Sequence, residues 1–241
     1  MNINTLMLYG NKTKSIKHMY MQYFGNYEIE IDVDRLYSQI GLEPILDKDI
    51  FEYSLTGYTN LIKNNLIKKK SLLTIIDYTK PSTEKRLYVI DLYDKKLLFN
   101  SLVAHGKNTG VKYPRYFSNE VGSLQSSLGF FITLGTYFGQ NGYSLKLRGV
   151  DDDFNDKAED RYIVMHGADY VSEGFIKEHG RIGRSWGCPA VPNEITSSLI
   201  NIIKEGSPVF IYHNDTKYLN SSKYLNTKTA SITNRKRHSL L

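Results

Sequence analysis

The 241-residue sequence predicts an α+β fold with three parts: a β-rich core over residues 71–213, a helical N-terminal extension over 1–70 and a flexible basic tail over 214–241. Three observations carry this. Apolar residues recur at helical spacing before residue 70. From Leu72 to Tyr212, short runs rich in Ile, Val, Leu and Tyr alternate with turn residues. From Asp215 onward, hydrophobicity falls. A hydrophobic fraction of 41% is enough for a packed core, and the length suits one domain with extensions better than two full domains.

In the extension, Val33, Leu36, Tyr37 and Ile40 mark the first helical face. Phe51, Leu55, Tyr58 and Ile62 mark the second, although Gly57 interrupts it. Strands are predicted at 72–78 and 86–92, separated by a Pro-Ser-Thr turn. After a tight turn at Asp94-Lys95, a third strand runs from Leu97 to Val103. Gly129–Leu134, Tyr143–Leu147 and Tyr162–His166 follow, with Gly135, Gly139 and Gly142 read as turn glycines rather than a phosphate-binding loop. Asn193 is placed as the cap of a helix carrying Ile195, Leu199, Ile202 and Ile203, stopped by Gly206 and Pro208 before a last strand at Val209–Tyr212. Lys-Tyr-Leu-Asn occurs twice in the tail, from Lys217 and Lys223, ahead of Arg235-Lys236-Arg237.

The formal net charge of +6 fits an anionic partner without choosing between nucleic acid and an envelope polymer. No run approaches the ~20 apolar residues of a membrane span. The longest N-terminal apolar run, Leu6 to Tyr9 beside Lys12, Lys14 and Lys17, is too short for a signal-peptide core. Cys188 is the only cysteine, which excludes an internal disulfide and a multi-cysteine zinc site. A lone cysteine is ordinarily a small buried hydrophobe; here its neighbours argue otherwise.

In Arg184-Ser185-Trp186-Gly187-Cys188-Pro189 the thiol lies in a tight turn between Gly and Pro, where amides around Gly187 and Cys188 can converge on an oxyanion. Ile163-Val164-Met165-His166-Gly167 mounts a histidine at the end of an apolar strand. A thiol needs deprotonation to become a nucleophile, and a histidine in reach supplies the base. His166 precedes Cys188 by 22 positions (188 − 166). Papain-like and NlpC/P60-type peptidases place the cysteine first, and caspases and sortases put far more chain between the two.

The short His-then-Cys order, with His166-Gly167 followed by Ser185-Trp186-Gly187-Cys188, resembles the YkuD-type L,D-transpeptidases. Gly183-Arg184-Ser185-Trp186-Gly187-Cys188-Pro189 is similar to the signature of one branch, the murein L,D-transpeptidase catalytic domain family. Val103-Ala104-His105-Gly106, Phe117-Ser118-Asn119, Ser126-Ser127-Leu128-Gly129, Ala158 with Arg161, and His166-Gly167-Ala168-x-Tyr170 extend the likeness over about residues 70–213.

The resemblance implies an acyltransferase that binds peptidoglycan stem tetrapeptides and releases the terminal D-alanine through a Cys188 acyl-enzyme. An amine acceptor then completes cell-wall cross-linking, or water completes an L,D-carboxypeptidase (hydrolase) reaction. It implies no cofactor; apart from it, the run lengths predict no integral membrane segment, and nucleic acid, resting only on net charge and Arg235–Arg237, is not an expected partner. The implied location is the bacterial envelope or periplasm, although the missing signal-peptide core leaves a cytoplasmic or non-classically released form open. The implied catalytic set is Cys188, His166, Ser185 and Gly187; the substrate-binding set is Arg184, Trp186, Gly167, Tyr170, His105 and Asn119. Many relatives carry Arg or Asn shortly after the cysteine, where this chain has Pro189 and Ala190, so Arg184 or Arg181 becomes the candidate for that charge. On residue type alone, Ser185 is equally a turn cap, Trp186 a packing residue, and His105, Asn119 and Tyr170 scaffold. A metal site from His105, His166 and His179 lacks any short ligand spacing. A non-catalytic peptidoglycan-binding protein of the same fold is the reading from a different class.

Overall fold

The computed structural model describes residues 18–22 and 28–226. The basic N-terminal lysines, Leu6–Tyr9 and Arg235–Arg237 lie outside the described residues. A short hairpin, β1 (His18–Gln22) and β2 (Glu28–Asp32), leads directly into helix α1 (Val33–Ile40). Asp32 caps α1 by accepting from Arg35 N, and Gly41 ends it in the left-handed region at φ 74°. Helix α2 (Lys48–Lys63) starts at Asp47, whose carboxylate accepts from Asp49 N. Both faces expected from the periodicity are buried.

The body of the molecule is one mixed eight-stranded sheet. Its strands are β3 (Leu72–Asp77), β4 (Leu87–Asp91), β5 (Lys96–Ser101), β6 (Gly129–Gly139), β7 (Gly142–Gly149), β8 (Val164–Gly167), β9 (Ala190–Val191) and β10 (Pro208–Tyr212). They lie in the order β5-β4-β3-β10-β6-β7-β8-β9. The pairs β3–β10 and β8–β9 are parallel and the others antiparallel. Ala104, just past one edge strand, bridges to Ala190 on the other edge strand. The two edges therefore meet, and the sheet curls into a near-barrel around its apolar interior.

Several expectations need correction. Gly135 and Gly139 do not sit in a loop: β6 continues through them, with a bulge between Thr133 and Thr136, and only the tip before Gly142 turns. Asn193 does not cap α4 (Asn193–Ile203). Pro192 precedes the helix without a side-chain cap, and Asn193 donates instead to Asp169 Oδ1 at 2.5 Å. Helix α3 (Glu173–His179), capped by Ser172, was not expected, because it buries no apolar stripe to reveal itself. The flexible tail was expected from residue 214, yet helix α5 (Thr216–Ser221) is folded. The two Lys-Tyr-Leu-Asn repeats each place their tyrosine, Tyr218 and Tyr224, in the core. Tyr218 Oη and Ser222 Oγ donate to buried Asp151, whose carboxylate also accepts from Phe130 N and so ties α5 to the sheet.

One apolar core contains α1, α2, the sheet and α5 together. Phe130 stacks on Phe210 at 4.2 Å between ring centroids, and α2 lies against β3 and β10. Gly57, the residue that weakened the helix reading, is where Phe130 approaches: a Cβ there would lie 1.9 Å from the ring. No helix among the described residues is long and apolar enough to cross a membrane.

Candidate active site

Sheet register brings the segment that carries the thiol against the strand that carries the imidazole. β8 carries His166 and runs parallel to β9, with His166 opposite Ala190 and Gly167 opposite Val191. Cys188 lies two residues before β9, separated from it by Pro189, and its Sγ accepts from Val164 N at 3.4 Å, two residues before His166 on the neighbouring strand. The segment after β5 flanks the turn on its other side. Ser185 N donates to His105 O (3.0 Å), Lys107 N to Ser185 O (2.7 Å) and Ala104 N to Ala190 O (2.8 Å).

His166 is only 4% exposed. Its Nδ1 lies 2.8 Å from Gly167 O, and only a protonated Nδ1 satisfies that carbonyl, which leaves Nε2 as the lone-pair nitrogen. Burial lowers its pKa below the ordinary imidazole value, and the Gly167 carbonyl offsets this in part. The half-buried Cys188 thiol is shifted up by burial, against smaller downward pulls from Val164 N–H and the Arg161 cation. At neutral pH the pair is therefore thiol and neutral imidazole rather than an ion pair. Among the described residues no hydrogen bond joins them; Cys188 S–H points to Tyr162 O at 3.7 Å.

The turn itself is closely specified. Gly187 has φ 123°, and a Cβ there would meet Gln125 O at 2.8 Å, so only glycine fits. Ser185 Oγ accepts from Gly187 N (3.1 Å) and donates to Cys188 O (2.6 Å), and Ser126 Oγ donates to Gly187 O (3.4 Å). Ser185 takes the turn-capping alternative and makes no hydrogen bond to His166 among the described residues. Gly187 N–H is committed to Ser185, so of the two amides expected to face an oxyanion only Cys188 N–H meets no acceptor among the described residues.

The substrate-binding candidates divide. His105 is fully buried, with Nδ1 accepting from Arg86 (2.8 Å) and Nε2 donating to Gly110 O (3.2 Å); burial and the Arg86 cation push it down to about 3. It is a neutral brace for the segment that holds Ser185, not a ligand-facing group. Asn119 is likewise scaffold, donating to Asp156 and accepting from Lys157 N. Gly167 is glycine for space, because a Cβ would lie 2.3 Å from Asn193 Oδ1 and 2.5 Å from Thr196 Oγ1 on α4. Tyr170 is half-buried, pushed up to about 12 by burial with Cys188 nearby, and its ring packs over Gly183. Trp186 is 77% exposed beside the thiol. Arg184 donates to the carbonyls of Lys107 and Gly110, and Arg181 is close enough to depress its pKa further. His105, His166 and His179 do not assemble; no group of three possible metal ligands occurs among the described residues.

Sequence reasoning gives no site role to two neighbours of the thiol. Tyr162, 83% exposed, holds φ 53°, a left-handed conformation costly for an aromatic residue, and thereby aims its carbonyl at Sγ. Arg161 binds the segment that crosses behind Gly187. Its inclusion in the short motifs was the available signal.

The family profile described as the L,D-transpeptidase catalytic domain matches residues 42–212, and the chain belongs to that family. Comparison with curated proteins gives no match. Among solved structures, the chain is similar to an L,D-transpeptidase from Mycobacterium smegmatis at 11% identity, with 59% of each chain covered and a TM-score of 0.38. It is also similar to an L,D-transpeptidase from Stackebrandtia nassauensis, at 16% identity over 77% of this chain and 78% of that one, with a TM-score of 0.35. A third is the helical cell shape determining protein Pgp2 from Campylobacter jejuni, at 13% identity, 61% and 49% coverage and a TM-score of 0.38. The chain thus spans less than two thirds of the first and third of these.

Proposed function

We propose that the protein is a cysteine-dependent L,D-transpeptidase acting on peptidoglycan stem tetrapeptides, with Cys188 as nucleophile and His166 as base. The observation that supports this reading is the parallel β8–β9 register, which lays the strand after the only cysteine along the strand of a histidine whose Nδ1 is already fixed on Gly167 O. The family profile over residues 42–212 supports it.

In this reading Sγ turns from Tyr162 O toward His166 Nε2, which takes the thiol proton as sulfur attacks the carbonyl before the terminal D-alanine. A neutral starting pair suits this, because the proton moves only as the bond forms. Cys188 N–H, free of other acceptors, donates to the developing oxyanion. Collapse breaks the C–N bond, His166 returns its proton to the departing amine, and a thioester remains. An acceptor amine then attacks the thioester, His166 takes the amine proton, and sulfur leaves with it. In this reading Trp186 and Tyr170 flank the bound peptide, and Arg184 with Arg181 supplies the charge for a substrate carboxylate.

Intact-protein mass spectrometry with a purified disaccharide tetrapeptide tests the acyl-enzyme. Wild type should gain the mass of substrate minus D-alanine, and Cys188→Ala should gain nothing. New stem-to-stem links on glycan strands identify an amine acceptor, whereas shortened tripeptides alone identify water. Absence of both adduct and D-alanine release from wild type would overturn the assignment of the nucleophile.

A further inference from the structure

Arg161 is half-buried, and its guanidinium makes four hydrogen bonds of 2.5 to 3.1 Å, to Ser118 O, Ser127 Oγ, Ser123 Oγ and Gln125 O. All four acceptors are neutral. Among the described residues Arg161 forms no ion pair, although a cation withdrawn from water normally finds a carboxylate. Glu120 acts on it from the same segment, but its carboxylate is bound to Lys157 at 2.9 Å. Meanwhile Nη2 reaches the back of the cysteine turn, 3.3 Å from where a Gly187 Cβ would stand, and its other Nη2 partner, Gln125 O, closes on the same point at 2.8 Å.

We propose that Arg161 is a positioning residue whose uncompensated charge serves the Cys188 thiolate, while its fork holds residues 118–127 against the turn. This rests on the reading of Cys188 as nucleophile. The other titratable groups around the sulfur are His166 on β8, Tyr170 beyond it and Tyr78 at the end of β3. Burial favours the neutral form of each. That leaves Arg161 as the fixed positive charge acting on the sulfur, and the thiol's ionisation responds to it in the lowering direction. The two halves of the role are linked: serine and carbonyl acceptors orient the guanidinium without neutralising it, so its field reaches the turn.

The single cysteine makes the test direct, because iodoacetamide alkylation then reports one thiol and needs no substrate turnover. The rate is measured against pH for wild type, Arg161→Lys and Arg161→Gln, each checked for cooperative melting. Arg161→Gln keeps hydrogen-bond donors and removes the charge. It should slow alkylation at pH 8 by about three- to tenfold, the effect of raising a thiol midpoint by roughly half to one unit. Arg161→Lys keeps the charge and should stay within about twofold of wild type. If Arg161→Gln does not fold, Ser123→Ala with Ser127→Ala loosens both nitrogens of the fork and should shift the profile the same way. Profiles that coincide with wild type, or an equal slowing by Lys and Gln, would overturn the electrostatic role. Because alkylation is independent of peptide chemistry, failure of the transpeptidase reading leaves this result intact and is told apart from it.

Discussion

At Cys188 and His166, burial acts on both partners in the same sense, holding each in its neutral form. This has a consequence for pH dependence. His166 must be unprotonated to accept the thiol proton, and its pKa lies below the ordinary imidazole value of 6.5. As pH falls, activity should persist until that lowered value is crossed and then decline. D-alanine release measured from pH 4 to 9 should place the acid-side midpoint below 6.5, and His166→Ala should abolish release. An acid limb centred above 7 would show that another group controls the step. Residue types and order are what propose this pair from the sequence. Burial and the free Cys188 N–H were not legible there, because both depend on which segments close over the turn. His105 shows why: the resemblance assigns it to substrate and residue type reads it as scaffold, and the choice falls to Arg86, which reaches it from β4's leading edge and locks it inside.

Elements show how a local rule can be overridden. Gly57 is a liability in a helix read alone, and alanine there would ordinarily stabilise by about 1 kcal/mol. Phe130 reverses the sign, because the added methyl would stand 1.9 Å from its ring in a core where Phe130 is already stacked on Phe210. Gly57→Ala should therefore destabilise, by about 1–3 kcal/mol after the ring shifts. Urea unfolding of the two proteins measures this directly, and an unchanged or raised midpoint would mean that Phe130 moves aside freely. Strands β3, β4, β7 and β10 follow from apolar runs that the sequence displays openly. The extension of β6 through Gly135 and Gly139 does not, since a bulge lets glycines continue a strand that composition alone would end.

For the whole molecule, the N-terminal segment is not an attachment to a finished domain. Phe51, Leu55, Tyr58 and Leu61 of α2 are all fully buried in the core that the sheet also forms. Burying each is worth about 2 kcal/mol, so together they supply on the order of 8 kcal/mol, comparable to the net stability of a typical domain. A fragment starting at Leu72 should lack a cooperative thermal transition and bind a hydrophobic dye, whereas a chain retaining α1 and α2 should melt cooperatively. A sharp transition in the shorter fragment would restore the picture of an independent β-rich body. The family profile, which begins at residue 42 and so includes α2, runs with the former outcome.

The sequence by itself determined the helical faces before residue 70, most of the strands and the family, because each is written in local periodicity or in an ordered set of short motifs. It also determined that any thiol chemistry must use Cys188, the only cysteine. Tertiary structure alone decided that the sheet edges meet at Ala104 and Ala190, that Tyr218 and Tyr224 anchor the start of the tail, and that Arg161 stands behind the cysteine turn with no ion pair among the described residues. The physical reason is range: propensity and turn chemistry act over a few residues, whereas these features join segments 34 to 164 residues apart through burial and hydrogen bonds.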